Sequence, residues 1–252
     1  MIPGSVHVFA DAEAVSQAAA VEFVRCAREA VSARGRFRAA LSGGSTPRRM
    51  YQLLAAPPHR DQIDWAKTDL FWGDERAVPP DDKESNFRMT REALLDHVPI
   101  PPAQVHRIET ERSDRDQAAR DYQQAIARAF GVDAAGPPPS FDLVLLGMGP
   151  DGHTASLFPH TAALNETVRW VVVNYVPKFA TDRVTLTLPI LNRSHEVLFL
   201  VAGADKAEPL AEVLQGPPDP QRLPSQSIRP AGRLLFDVDR QASARLSLPA
   251  PG

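Results

Sequence analysis

The sequence predicts an α/β protein, a mainly parallel open sheet flanked by helices on both faces, in one domain over residues 1–252. Three observations lead there. Strand-like and helix-like patterns alternate from one end to the other. The strand candidates are continuous apolar runs, as strands buried on both faces require. Four of them finish in glycine-bearing turns.

The elements follow in order. Residues 6–9 read as a short strand. Asp11 is placed to cap a helix carrying Val15, Ala19, Phe23, Cys26 and Ala30 on one face, and Gly35 stops it. A strand over Phe37–Leu41 precedes a helix over 47–54 that opens on Pro47. A strand over Thr68–Trp72 and a helix over 85–95 come next. The helix over 114–130 is closed by Gly131, and 141–146 is a nearly unbroken apolar strand. Strands over 168–174, 184–188 and 197–201 lead to a helix over 204–214. Prolines cluster at 57–58, 99–102, 137–139 and 217–230. The 137–139 cluster reads as a surface loop, because the alternation continues across it.

Composition removes several classes of function. A net charge of −3, with no Lys/Arg run, argues against a nucleic-acid binder. Apolar stretches such as 143–146 and 170–173 are far too short to span a membrane. Residues 1–4 carry no signature of a secretory signal. Cys26 is the only cysteine, so no internal disulfide and no cysteine-built zinc site is expected, and a reducing, cytoplasmic compartment fits. A monomer is expected.

If the four glycine-turn strands run parallel, their turns share one carboxyl edge, where open α/β sheets bind ligands. The first turn is Ser42-Gly43-Gly44-Ser45-Thr46-Pro47. Its glycines admit close backbone approach, Ser45 and Thr46 add hydroxyls, and the helix N-terminus behind them suits a phosphate. The plainer alternative is a solvated turn with Thr46 as N-cap. The second turn, Gly73-Asp74-Glu75-Arg76, is followed by Asp81, Asp82, Ser85 and Asn86. In isolation it reads as a charged, exposed loop with internal ion pairs, and its oxygens match no metal-binding spacing.

The third turn, Gly147-Met148-Gly149-Pro150-Asp151-Gly152, is formally a dinucleotide-binding G-x-G-x-x-G. Three details oppose that reading. Asp151 brings a negative charge towards the pyrophosphate, Pro159 arrives too soon for the long helix, and the strand over 168–174 ends without an acidic residue for the ribose. The glycines are better read as a mount for His153. An arbitrary histidine is usually structural, but this one follows a glycine-rich turn at a strand's carboxyl end. The other six, among them His7, His106 and His160, lack that setting. Arg183 opens a strand, and Lys206 follows the fourth turn, Val201-Ala202-Gly203. Each can be an ordinary surface charge, yet a sugar phosphate is a dianion that Arg and Lys commonly hold, and the chain has only four lysines.

Together these segments resemble the 6-phosphogluconolactonase family, within the glucosamine-6-phosphate isomerase/6-phosphogluconolactonase superfamily. Ser42-Gly43-Gly44-Ser45-Thr46-Pro47 resembles its phosphate loop and Trp72-Gly73-Asp74-Glu75-Arg76 its second signature. Gly147-Met148-Gly149-Pro150-Asp151-Gly152-His153-Thr154-Ala155-Ser156-Leu157-Phe158-Pro159 resembles its most specific motif nearly throughout. Ser85-Asn86, Arg183 and Lys206-Ala207 fit in the expected order, and the likeness runs over 6–237.

The resemblance implies a Rossmann-like, glucosamine-6-phosphate deaminase-like fold. It implies hydrolysis of 6-phospho-D-glucono-1,5-lactone in the oxidative pentose phosphate pathway, without metal or organic cofactor. His153 would be the general base that activates water, which suits an imidazole, whose ordinary pKa is about 6.5. Gly44, Ser45, Thr46, Arg183 and Lys206 would hold the phosphate. Glycine-turn N–H groups and Arg76 would serve the developing oxyanion or the sugar, and Gly43, Asp74 and Asp151 complete the substrate-binding set.

Two rivals are weaker. The deaminase family carries a glutamate that falls at Phe158 here, and a phenyl ring moves no protons. A sugar-phosphate sensor of the transcription-regulator kind needs an N-terminal helix-turn-helix, and the first strand candidate already begins at Val6.

Overall fold

The apolar runs of the sequence assemble side by side. In a computed structural model describing residues 4–247, seven parallel strands lie in the order β1, β10, β9, β6, β2, β3, β5. They are β1 (Ser5–Phe9), β2 (Phe37–Leu41), β3 (Thr68–Trp72), β5 (Val105–His106), β6 (Leu143–Gly147), β9 (Glu196–Val201) and β10 (Arg233–Asp239). Leu143, Val144 and Leu145 of β6, at the sheet's centre, are wholly buried, as are Val197, Leu198 and Phe199 of β9. Each such side chain contributes roughly 1.5–3 kcal/mol by leaving water.

Helices flank the sheet, and their ends follow local sequence. In α1 (Ala12–Arg34) the Asp11 carboxylate accepts from the Ala14 N–H at 2.9 Å, and Gly35 closes the helix at φ +77°. In α4 (Arg115–Phe130) Asp114 accepts from Gln117 N–H at 2.8 Å, and Gly131 stands at φ +67°. The Ser85 hydroxyl caps α3 (Asn86–Ala93) in the same way. The helix expected to open on Pro47 begins two residues earlier: α2 is Ser45–Leu54 with Gly44, not Thr46, at its N-cap. The helix expected over 204–214 starts as a tight 3-10 turn, Ala204–Lys206, and continues as α6 (Ala207–Gln215). A short α5 (Leu188–Leu191) precedes β9.

Two strands expected in the parallel sheet are not in it. β7 (Val171–Val176) and β8 (Thr181–Leu186) pair with each other antiparallel, and β8 pairs antiparallel with β4 (Asp74–Arg76) to form a separate three-stranded sheet. Only residues 177–180 separate β7 from β8. A connection that short permits an antiparallel neighbour, whereas a parallel one needs a crossover of a dozen residues or so. Gly73 joins the sheets, its N–H donating to Leu41 O and its carbonyl accepting from the Leu186 N–H, both at 2.8 Å. The second sheet therefore stands over the carboxyl end of β2 and β3.

Candidate active site

The carboxyl ends of β2, β3, β6 and β9 do share one edge, and a cleft of about 330 Å³ opens there. Where β2 ends, the buried Tyr51 hydroxyl donates to Ser42 O at 2.8 Å and accepts from the Ser42 N–H at 3.1 Å. Tyr122 does the same to Trp72 at the end of β3, at 3.0 and 2.7 Å. Each phenol satisfies both backbone groups of one residue, so each strand stops at a defined point. Past Ser42, Gly43 lies so close to the Asn86 carboxamide that a Cβ would collide with it, and Gly44 has φ +112°. Gly43, Gly44, Ser45 and Thr46 all line the cleft at the N-terminus of α2. Unpaired N–H groups and the positive end of the helix dipole point there.

The second turn is not the exposed, ion-paired loop that its charges suggest. Asp74 and Glu75 are 6% and 3% exposed. The Glu75 carboxylate accepts backbone N–H bonds from Arg76, Asn86 and Phe87, each at 2.8 Å, and the Ser85 hydroxyl at 3.0 Å. Burial pushes its carboxyl above the usual range against the pull of those backbone donors. Glu75 is thus spent on holding β4 to the start of α3. Asp74 lines the cleft, and its Oδ2 accepts from the Ser156 hydroxyl at 2.6 Å.

His153 lines the cleft from the third turn. Gly149 passes so close beneath its imidazole that a Cβ there would overlap Nδ1, which gives that glycine a physical reason. The ring stacks on Phe158 with centroids 4.0 Å apart at 21°. Its Nδ1 is hydrogen-bonded to Asp151 Oδ1, and Asp151 Oδ2 accepts from Lys178 Nζ at 2.9 Å. Asp151, expected among the substrate contacts, is therefore occupied through both oxygens and does not line the cleft. Burial alone raises a carboxyl pKa, but the hydrogen bonds from His153 and Lys178 outweigh it and hold Asp151 well below the ordinary carboxylate range. An ionised carboxylate only accepts, so Nδ1 carries a proton in this network, and in the neutral ring the lone pair is therefore on Nε2.

Three cations also line the cleft. Arg76 and Arg183 line the cleft from β4 and β8, and Lys206 lines it from the turn after β9. Lys206 Nζ is 2.9 Å from Asp205 Oδ2. The buried Nε atoms of Arg76 and Arg183 have no hydrogen-bond partner. Burial lowers the Arg183 pKa, Asp74 opposes that shift and Arg76 adds to it. The guanidinium nonetheless stays charged at any working pH.

Lys178 was missed in the sequence, although its rarity is the same signal that singled out Lys206. Asn174 was missed too. It donates to Ser156 O at 2.8 Å and so supports the segment that follows His153. Among the described residues, Glu22, Cys26 and Glu196 are the group close enough to share a metal ion. They sit at the opposite, amino end of β9, where Glu196 Oε2 already meets Arg25 at 2.6 Å and Arg233 at 3.0 Å.

Residues 10–236 match the family model of glucosamine-6-phosphate isomerases/6-phosphogluconolactonase. A 6-phosphogluconolactonase of Synechocystis sp. is 45% identical, over 86% of this chain and 88% of its own length. The solved structure of 6-phosphogluconolactonase from Trypanosoma cruzi superposes with a TM-score of 0.86 at 30% identity, covering 98% of each chain. A monomeric glucosamine-6-phosphate deaminase shares the fold, with a TM-score of 0.79 at 21% identity over 96% of this chain and all of the other. No helix among the described residues is long and apolar enough to cross a membrane. With the sheet, the cleft and these likenesses in agreement, the chain belongs to the 6-phosphogluconolactonase family, within the glucosamine-6-phosphate isomerase/6-phosphogluconolactonase superfamily.

Proposed function

We propose that the protein hydrolyses 6-phospho-D-glucono-1,5-lactone to 6-phospho-D-gluconate, the second step of the oxidative pentose phosphate pathway, with His153 as general base. The observation that carries this reading is the Asp151–His153 pair on a cleft that also presents a helix N-terminus and three cations. His153 Nε2 takes a proton from water as the water oxygen bonds to the lactone carbonyl carbon. The carbonyl oxygen becomes an oxyanion, which N–H groups of the glycine turns and Arg76 would stabilise. Collapse of that intermediate breaks the ring C–O bond, and the imidazolium returns its proton to the departing ring oxygen. Asp151 holds the ring in the tautomer this requires, a positioning role in place of the expected substrate contact. Gly43, Gly44, Ser45, Thr46, Arg183 and Lys206 would hold the phosphate, and Asp74, anchored by Ser156, would face the sugar.

Initial rates with the phosphorylated lactone, with unphosphorylated gluconolactone and with glucosamine 6-phosphate test this reading. Preferred hydrolysis of the phosphorylated lactone is expected. Ammonia release from the amino sugar at a comparable rate would overturn it.

A further inference from the structure

We infer that Ser225, in the proline-rich segment after α6, is a positioning residue for the reaction, holding the Gly152 carbonyl and through it the His153 imidazole. This rests on His153 being the base. Ser225 is wholly buried on a short helical turn, Pro224–Ser227. Its N–H and its hydroxyl both donate to Gly152 O, at 2.9 and 2.8 Å, which uses both lone pairs of that carbonyl. Gly152 itself is left-handed at φ +72°, and a Cβ on it would meet Leu223 Cδ2 at 2.6 Å. The segment thus packs flush against the turn as well as bonding to it. A second tie lies beyond the catalytic histidine, where the His160 N–H donates to Gln221 O at 3.0 Å.

The clamp is itself anchored. The Gln226 amide donates to Glu212 O and Pro217 O, both at 3.1 Å, and accepts from the Asp219 N–H at 2.7 Å. Glu212 belongs to α6, so the segment is fixed to a helix as well as to neighbouring loops. The turn's own bonds run from Gly152 N–H to Gly149 O at 3.0 Å, from Gly149 N–H to His153 O at 2.9 Å, from the Thr154 hydroxyl to Gly147 O at 2.8 Å and from His153 Nδ1 to Asp151. None of them holds the Gly152 carbonyl, which among the described residues Ser225 alone engages. Asp151 and Phe158 orient the ring from within the segment, and the grip on the Gly152 carbonyl sets where the backbone presents it. Prolines suit that gripping segment, because they reduce the freedom it loses on folding.

The test compares Ser225→Ala with His153→Ala and with Ser194→Ala, which removes another wholly buried serine hydroxyl, one that precedes β9. In Ser225→Ala the expected result is a fall in kcat of about tenfold or more, since misplacement by about 1 Å can cost on the order of 100-fold. KM should stay within about twofold, because the phosphate contacts are untouched. The downfield NMR proton of the His153–Asp151 hydrogen bond, identified by its absence in His153→Ala, should broaden or vanish in Ser225→Ala and persist in Ser194→Ala. Unchanged kcat with that resonance intact overturns the inference, as does an equal loss in Ser194→Ala. If Ser225→Ala does not fold, Ser225→Cys, which keeps the volume and replaces the hydroxyl with a weak donor, takes its place, and an unchanged kcat there with the resonance intact overturns the inference. Normal turnover by His153→Ala would instead defeat the assignment of the base.

Discussion

Arg76 and Arg183 stand directly opposite each other in the antiparallel pairing of β4 with β8. Like charges in that relation destabilise a ladder, and the buried Nε of each is left without a partner. At Arg183, burial is the largest unfavourable influence, and the attraction of Asp74 outweighs the repulsion of Arg76. Under the proposed function the two guanidiniums would meet the anion of the substrate.

Replacing one of the two should therefore separate binding from folding. Arg183→Gln is expected to leave the unliganded protein as stable as the parent or more stable, by about 0.5 kcal/mol. It should lower kcat/KM for the phosphorylated lactone roughly 10- to 100-fold and scarcely affect the unphosphorylated one. Lys206→Ala should act in the same direction. Rates with both substrates and thermal melts with and without inorganic phosphate decide it, and equal losses on both substrates would contradict the phosphate assignment.

Asp151→Asn replaces the acceptor-only carboxylate beside His153 Nδ1 with an amide that can also donate, so the His153 tautomer is no longer fixed. A fall in kcat of about 100- to 10,000-fold is expected, with KM little changed. Stability should follow pH in a defined way. The folded pKa of Asp151 is depressed, so its contribution is complete above the unfolded value of about 3.9 and is lost as pH falls towards the folded one. Lys178 is half-exposed, which limits the gap between parent and variant at neutral pH to about 1 kcal/mol. Urea denaturation from pH 7 to pH 3 should show that gap shrinking below about pH 4, and a constant gap would contradict it.

Glu75 tests the frame of the site rather than its chemistry. Glu75→Ala orphans three backbone N–H groups and the Ser85 hydroxyl, at an expected cost of about 3 kcal/mol or more. Glu75→Gln, which keeps one acceptor oxygen, should lose less. Denaturant melts measure both, and a loss below about 1 kcal/mol in the alanine variant would contradict the bonding described.

Much of this arrangement was legible from residues alone, for identifiable reasons. Continuous apolar runs predicted a parallel sheet, and glycines at four strand ends predicted that Ser45, Arg76, His153 and Lys206 would meet at one edge, as they do. β10 was missed, although it lies between β1 and β9. Its sequence mixes Asp237 and Asp239 into the apolar run, and Asp237 is offset by His7 across the β1 pairing, a contact only the fold creates. Membership of β7 and β8 in a second sheet was concealed for a related reason. Periodicity marks a strand, but pairing direction depends on the length of the connection. Glu75 looked like surface charge because nothing local announces the backbone donors that meet it from α3. The proline-rich 217–230 segment carried no motif, and its bearing on Gly152 is visible only once the chain has folded back onto it.

The central claim is that His153 activates the water, and the initial rate of 6-phosphogluconolactone hydrolysis by His153→Ala, corrected for spontaneous opening, tests it most directly. The expected result is a loss of kcat of about 100-fold or more with 6-phosphogluconate binding retained, the scale on which a positioned general base contributes. Turnover within a few-fold of the parent would remove His153 from the mechanism.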